Sequence, residues 1–459
     1  MRKAASIFLV FCSFGSIVAI AEESAVKPLL DARFRFEDFA TPSANSLRDR
    51  TYSFSSLRVR GGVEAKAGAW TLRGLGQASA IRTLPVDGAF GAGPVYFGTD
   101  FDDQPDQLGL LELSATYKSE RGRVTLGRQG YIDGFERATG NANLDWVKRR
   151  RVAERLVGNL DFTVVGRRFD GASASLAVGK DQLDLFAFQP TKGAFRFEGA
   201  LETLDKLQVF GASWTSGFGA WLPKSEVRLF AQQYVDDRAA FQSALGGHVE
   251  ITTLGGSILA GDAVHDVLLW VAVQDGDYGS RDHAAWAVVA ELGHRFTGVH
   301  GEPGLHLGFE QASGDDGDRD HGSFWNGLPT NHKFYGSLDY FAFSNLRDIY
   351  LELRWAPRKD LKLLAAVHDF SLVETRDAWY GGSGAFGARD AAFAARRPAG
   401  GFTSSDLGRE LDLDLVWSGP KKLELRLGAG FFQGGDAVEQ FAPVEADGYW
   451  GNVEISWSL

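Results

Sequence analysis

The chain is almost devoid of sulfur-containing residues. It has one cysteine and one methionine among 459 residues, and both fall within the first 12 positions. Residues 1–21 are typical of a cleaved signal peptide, with a basic start at Arg2 and Lys3, an apolar run and an Ala-Ile-Ala cleavage site. The expected mature chain, residues 22–459, then has no thiol. A disulfide framework is excluded, and a large hydrogen-bonded fold in an oxidising envelope compartment is favoured.

Basic residues are in the minority, and linkers are missing. Without Arg2 and Lys3 the mature chain carries 46 basic against 59 acidic residues, a net charge of −13. That balance disfavours nucleic-acid binding. No Pro- or Ser-rich linker and no change of composition divides residues 22–459, so we expect one domain.

Motifs for catalysis and for metal binding are also missing. The chain has no HExxH, and Val178-Gly179-Lys180-Asp181 lacks the first Gly and the Ser/Thr of a phosphate-binding loop. The nine histidines show no zinc-like pairing. The acidic run 315–320 lacks the Gly and the distal Glu of an EF-hand, so a solvated loop is the simpler interpretation. We therefore predict a protein that is not an enzyme and that has no cofactor and no metal site.

Alternation of apolar and polar residues runs through the whole chain. Segments such as residues 349–355 (IYLELRW) and 410–417 (ELDLDLVW) have one apolar face and one charged face, which is typical of β-strands. Together with 56 glycines and 34 phenylalanines, the pattern indicates an all-β fold. The predicted strands number about 18: 29–39, 52–64, 70–82, 108–118, 122–130, 167–178, 182–189, 207–214, 225–235, 248–259, 264–274, 284–296, 303–313, 349–356, 361–372, 409–417, 422–433 and 448–458.

The connections between these segments alternate in length. Short connections such as 179–181 alternate with long ones such as 131–166 and 314–348. Aromatic residues lie near strand ends, and the chain closes on an aromatic-containing strand, residues 449–459. These features favour a single transmembrane antiparallel β-barrel of the bacterial outer membrane, with short periplasmic turns and long extracellular loops, over a soluble sandwich or propeller.

Arginines recur on the side of the strands that faces the lumen if Leu, Val and Trp face lipid. The first three strands present Arg33, Arg35, Arg58, Arg60 and Arg73, and Arg354 lies on the same side later in the chain. Acids share that side, so one interpretation is that charges pair across strands. The other is a cationic wall that focuses potential and favours carboxylate-bearing solutes.

The stretch between the fifth and sixth strands is the most basic part of the chain. From 148 to 168, seven cations stand against two acids. Its cations include Arg150, Arg167 and Arg168. This loop either folds into the lumen and builds a constriction, or lies at the outer rim and binds lipopolysaccharide phosphates; sequence alone leaves both open. Arg128 just before it shares the parity of lipid-facing Val124 and Leu126, which requires a bulge or a position above the apolar band.

Four motifs follow one another along the chain: Gly127-Arg128-Gln129, Arg168-Phe169-Asp170-Gly171, the stretch 328–336 (LPTNHKFYG) ahead of Asn345-Leu346-Arg347-Asp348, and residues 408–413 (GRELDL). In this order they resemble the alginate-export family of outer-membrane porins. The resemblance implies an 18-stranded barrel with an Arg- and Lys-lined lumen through which an anionic uronic-acid polymer leaves the cell. It also implies Arg128, Arg168 and Asp170 as constriction candidates, with Lys333 and Arg347 as secondary ones.

We therefore expect an outer-membrane channel that passively conducts an acidic polysaccharide or its oligomers. The alternatives are uptake of small anionic solutes, or a non-conducting barrel whose basic loop binds lipopolysaccharide or a surface glycan. Expected partners are the solute, outer-membrane lipids and periplasmic secretion-complex proteins. The residues nominated to line the pore or bind anions are Arg58, Arg60, Arg73, Arg128, Arg150, Arg167, Arg168, Asp170, Lys333, Arg347 and Arg354.

Overall fold

Eighteen antiparallel strands form one closed barrel in the computed structural model, which describes residues 25–45, 50–219, 222–382 and 395–459. The first strand pairs with both the second and the last, which closes the wall. The predicted signal peptide lies outside the described residues. The strands are β1 Ala25–Ala40, β2 Thr51–Ala67, β3 Trp70–Arg82, β4 Asp106–Ser119, β5 Gly122–Gln129, β6 Phe169–Val178, β7 Asp181–Pro190, β8 Leu207–Gly217, β9 Glu226–Asp236, β10 Val249–Gly261, β11 His265–Tyr278, β12 Arg281–Arg295, β13 Gly304–Ala312, β14 Leu346–Arg358, β15 Leu361–Ser371, β16 Asp406–Ser418, β17 Leu423–Gly434 and β18 Gly448–Ser458.

Each predicted strand is present, with ends that differ by a few residues. The reason is visible in β11, where Leu269, Val271 and Val273 are exposed on the outer face while Trp270 and Ala272 are buried inside. Successive side chains of a strand point to opposite faces, so a barrel in lipid needs apolar residues at every second position. The alternation that predicted the strands is therefore the alternation between lipid and lumen.

The two ends of the barrel differ. Connections of a few residues, such as 68–69, 179–180 and 359–360, lie at the end where both termini are found, which we name the short-turn end. The opposite, long-loop end carries the connections 83–105, 130–168, 313–345 and 372–405, of which 383–394 lie outside the described residues. One tight connection, residues 279–280, also lies at the long-loop end.

The connection between β5 and β6, residues 130–168, folds into the lumen and is named the plug. Its lowest part reaches the turns at the short-turn end. There Arg137 donates to the Lys180 carbonyl, and Lys224 donates to the Gly140 carbonyl. Of the two placements that the sequence left open for this basic loop, the structure shows the one inside the barrel.

The loop 313–345, named the facing loop, packs against the plug. Val157 and Leu328 form an isolated parallel bridge, and the Thr330 amide donates to the Glu154 carbonyl at 3.1 Å. Nearer the long-loop end the loops and the wall share an aromatic core. Its members pack on one another in tilted or edge-on pairs, as rings prefer; they include Phe90, Tyr340, Phe341, Trp379 and Phe432.

The helical elements are short. They are α1 Ala92–Asp100, α2 Ala142–Val147, α3 Ala239–Leu245 and α4 Asp436–Phe441, with a π-helical turn at Lys148–Val152 and 3-10 turns at Asn331–Lys333 and Pro420–Lys422. Trp379–Tyr380 pairs with Ala395–Arg396 as a separate two-residue ribbon. In the part of the chain that the structure describes, none of the helices has the length and apolarity needed to cross a membrane.

Candidate lumen passage

The basic run of the plug is set by a short helix and the turn that follows it. The Asn141 side chain accepts hydrogen bonds from the Asn143 and Leu144 amides and so caps α2. The helix widens at once into the π-turn Lys148–Val152, a feature often found at functional sites. The wider turn carries Lys148, Arg150 and Arg151 to different parts of the wall.

These cations pair with carboxylates on the inner face of the strands. Lys148 contacts Glu226 at 2.5 Å, on β9. Arg150 and Arg151 both contact Glu352 on β14, at 2.7 and 2.9 Å. Further carboxylates of the wall neutralise the plug in the same way. Arg151 also contacts Glu291 at 2.6 Å, and Arg155 contacts Glu310 at 2.8 Å.

A second anchor lies on the opposite wall and is built around Asp161 of the plug. Arg60 contacts its carboxylate at 2.6 Å and Arg168 at 3.3 Å, while Arg58 donates to its carbonyl at 3.1 Å. Burial alone would raise the pKa of Asp161, but Arg168, Arg60 and Arg58 outweigh it and hold that pKa well below its ordinary value. Asp161 therefore stays ionised and ties the plug to β2.

Arg33 and Arg35 of β1 complete this anchor. Arg33 donates to the carbonyls of Asp161, Phe162 and Thr163, and Arg35 donates to the Phe162 carbonyl at 2.9 Å. Arg35 also contacts Glu454 on the closing strand at 2.7 Å. The guanidinium groups are thus held rigidly at the edge of the space that the plug leaves open.

That space is a cavity of about 290 Å³, named the passage, between the plug, the facing loop and strands β1 and β15–β18. Five cations border it, against four acids. The cations are Arg33, Arg35, Arg150, Lys333 and Arg426, and the acids are Asp161, Asp412, Asp414 and Glu454. His332 and His368 also border it. Fixed cations around a narrow, partly dry space attract carboxylates more strongly than cations in open water would.

Lys333 is the one lysine among these cations. Its ammonium donates to the Arg149 carbonyl at 2.9 Å and lies 3.6 Å from Glu154. Burial lowers the pKa of Lys333 to about 8, with Arg150 and Arg155 adding to the effect against Glu154. Its charge is therefore sensitive to pH near neutrality, unlike that of the arginines.

The structure brings together only part of the nominated set. Arg150 and Lys333 border the passage. Arg73 and Arg168 share Glu112 on β4, at 2.6 and 2.7 Å. Together with Arg58 and Arg60 they hold the plug to the wall.

Two more nominated arginines support the interior of the barrel. Arg167 is fully buried and donates to the Gly158 carbonyl within the plug, at 3.1 Å. Arg354 lies under α2, where it donates to Asn143 and stacks on Trp146. Neither borders the passage.

Arg128 and Asp170 form a bidentate pair at the seam where β5 and β6 end. Arg128 also donates to the carbonyls of Leu110 and Leu201, so it links β4 to the connection 191–206. Its partner on β4, Leu113, is exposed, and Gly127 beside it has a φ of 104°. The neutralising Asp170 and the two carbonyls explain how an Arg is accommodated at this parity, away from the passage.

Arg347 stands on the outer parity of β14, with Ile349 and Leu351, and donates to the Ser371 hydroxyl. The alternation of residues along β14 was enough to predict this outward position from the sequence. The sequence nominations missed Arg33, Arg35 and Arg426 as site residues, although the inward parity of Arg33 and Arg35 was noted. They also missed His332, although it lies in the motif 328–336, and His368, which lies in no motif.

Residues 99–452 match the family described as Alginate export, and the chain belongs to that family. Its fold is also shared by solved porins at low identity. A BenF-like porin from Pseudomonas fluorescens Pf-5 is 11% identical over 95% of this chain and 98% of its own, with a TM-score of 0.60.

Two porins of Pseudomonas aeruginosa have similar values. OccK9 (OpdG) is 13% identical over 95% and 98% of the two chains, with a TM-score of 0.58. OpdK, crystallised with vanillate, is 11% identical over 94% and 98%, with a TM-score of 0.54. No curated protein matches the sequence. Family and fold together make this an outer-membrane channel protein.

Proposed function

We propose that the protein passively conducts an anionic polysaccharide, or oligomers of it, through the passage. The observation that carries the proposal is the set of five cations that border the passage between plug, facing loop and wall. Guanidinium groups bind carboxylates with two parallel hydrogen bonds and stay charged at all relevant pH values. A polymer that bears a carboxylate on each sugar would exchange one such contact for the next as it moves.

The present partners of the cations support this mechanism. Arg426 holds Asp414 in a bidentate pair, at 2.7 and 2.8 Å, and Arg35 holds Glu454 with two nitrogens. Arg426 and Arg35 therefore already bind a carboxylate with two hydrogen bonds each, as a uronate would require. When a carboxylate of the polymer replaces a carboxylate of the protein, the number of buried charges does not change. The net free energy of binding is therefore small, which lets the polymer move on.

A second candidate is uptake of small anionic solutes through the same space. The volume of the passage, about 290 Å³, is close to the lower end of small-molecule sites. A rigid plug would then act as a size filter, and polymers would be excluded. The burial of the basic run in the lumen gives lipopolysaccharide binding less support, because these cations do not reach the rim.

The test is blockade of single channels in a planar lipid bilayer by size-matched oligosaccharides. Oligouronates should interrupt the current at concentrations at which neutral oligomers of equal length do not. Arg150→Gln combined with Lys333→Gln should weaken the block about tenfold or more, since two charge-assisted contacts are lost. Arg347→Gln, on the outer wall, is the matched control and should leave the block unchanged.

Equal block by neutral and acidic oligomers would contradict a charged passage. Block by single uronic acids but not by oligomers would favour the small-solute candidate. Absence of any conductance would contradict both.

The remaining parts of the proposal concern the cell envelope. We propose that residues 1–21 are removed as a signal peptide and that the short-turn end faces the periplasm, where secretion-complex proteins could deliver the polymer. A channel of this kind needs no catalytic residue and no cofactor.

A further inference from the structure

Three ionisable side chains meet on the inner wall beneath α2. Asp266 of β11, Glu291 of β12 and His306 of β13 are at most 2% exposed. Their donor atoms, one from each residue, all lie within 4.8 Å of one another. They come from three neighbouring strands, so no motif spacing along the chain could reveal them.

The wall is built to let these groups converge. Asp266 pairs with Gly293 across β11 and β12, and Gly293 pairs with His306 across β12 and β13. A Cβ at Gly293 would lie 2.2 Å from Asp266 Oδ1. The missing side chain leaves room for the carboxylate and the imidazole to lean toward each other over the middle strand.

The converging atoms are also the ones left over by other interactions. Asp266 Oδ2 accepts from Asn143, and Glu291 Oε2 accepts from Arg151 and from the Tyr350 hydroxyl. The other oxygens, Asp266 Oδ1 and Glu291 Oε1, both face His306 Nδ1, which has one proton at most to share between them. Buried polar atoms that are not fully satisfied cost free energy, so one cation bound by Asp266 Oδ1, Glu291 Oε1 and His306 Nδ1 would stabilise the wall.

The distances fit a small tetrahedral cation. His306 Nδ1 lies 3.2 Å from Glu291 Oε1 and 3.5 Å from Asp266 Oδ1. Ligands of tetrahedral zinc at about 2.0–2.1 Å stand about 3.3–3.4 Å apart. Calcium is a poorer fit, because it takes six to eight oxygen ligands and one of the three donors here is an imidazole nitrogen.

We propose that Asp266, Glu291 and His306 form a zinc-class divalent-metal site on the inner wall. The ion would join β11, β12 and β13 directly. Through the Asn143–Asp266 and Arg151–Glu291 hydrogen bonds it would also brace α2 and the π-turn of the plug. The site is independent of the proposed conduction of polysaccharide.

The test uses the purified mature protein in detergent, stripped with a chelator and titrated with Zn²⁺ alone by isothermal calorimetry, with metal content checked by mass spectrometry. One Zn²⁺ per chain is expected. His306→Gln and Asp266→Asn should each weaken binding by at least about 100-fold, because loss of a ligand costs more than the 10–100-fold loss seen when a supporting residue is removed.

Gly293→Ala should weaken Zn²⁺ binding without removing a donor, since it displaces Asp266. His300→Gln is the control: this exposed histidine lies in the connection 296–303, outside the site, and its loss should leave Zn²⁺ binding unchanged. Far-UV circular dichroism shows whether each variant is folded. If a ligand variant does not fold, Gly293→Ala takes its place in the binding test. A wild-type chain that binds no stoichiometric Zn²⁺, or binding that survives His306→Gln, would overturn the proposal.

Discussion

Arg155 shows what a single residue of the plug contributes. Its guanidinium makes two hydrogen bonds to Glu310, at 2.8 and 3.0 Å, a third to the Tyr335 hydroxyl, and others to the Arg151 carbonyl. Arg155 and Glu310 are buried, so removal of one leaves the other as an uncompensated charge. Arg155→Met should lower the free energy of plug opening by about 3–5 kcal/mol, measured by hydrogen exchange of amides in residues 148–168.

The matched control replaces both partners. Arg155→Met with Glu310→Met removes the pair without leaving a buried charge, so it should cost much less than either single change. A double variant that loses as much as the sum of the two single variants would show that the ion pair itself is not the source of the effect.

Lys333 gives the passage a pH dependence. Because burial lowers its pKa to about 8, Lys333 is charged below pH 8 and neutral above it. Anion selectivity, measured as the reversal potential in a salt gradient, should fall between pH 7 and pH 9. Lys333→Arg keeps the charge and should show no such fall over this range. A fall of equal size in Lys333→Arg would assign the effect to another group.

For single side chains, the sequence predicted which face of the wall each one occupies but not which residues it contacts. Strand parity placed Arg33, Arg58 and Glu291 on the lumen side, and each is buried there. Parity could not say that Arg58 meets Asp161, more than a hundred residues away, nor that Glu291 meets Arg151. Such pairings depend on which strands become neighbours of the plug, and alternation carries no information on that.

The plug is the element on which the account depends. Its ends are adjacent, because Gln129 pairs with Phe169 across β5 and β6, so a short Gly-rich turn can replace residues 130–168 without opening the wall. This variant should conduct several-fold more current per channel than wild type, since the plug reaches from the long-loop end to the short turns. Unchanged single-channel conductance would contradict the placement of the plug in the ion path.

Among the elements, the strands were predictable and the plug was not. The 18 strands follow from a period-2 pattern that lipid and lumen impose on every strand, and their ends were placed to within a few residues. The basic loop has no such pattern. Its inward fold depends on carboxylates such as Glu226, Glu310 and Glu352 from separate strands, so the rim and the lumen were equally good interpretations.

On the scale of the whole molecule, barrel and plug are complementary in charge. The inner wall offers carboxylates on β4, β9 and β12–β14, and the plug supplies the cations that neutralise them. What remains is a passage bordered by more cations than acids on the side of β1 and β15–β18. We therefore expect the assembled channel to select anions, although the net charge of the chain is negative.

The most direct measurement is the reversal potential of single channels in a KCl gradient, for wild type and for the variant without residues 130–168. Wild type should select anions. The variant should select cations, because Glu226, Glu310 and Glu352 then lose the plug cations that neutralise them. A wild-type channel that prefers cations, or a variant that keeps anion selectivity, would contradict the central claim.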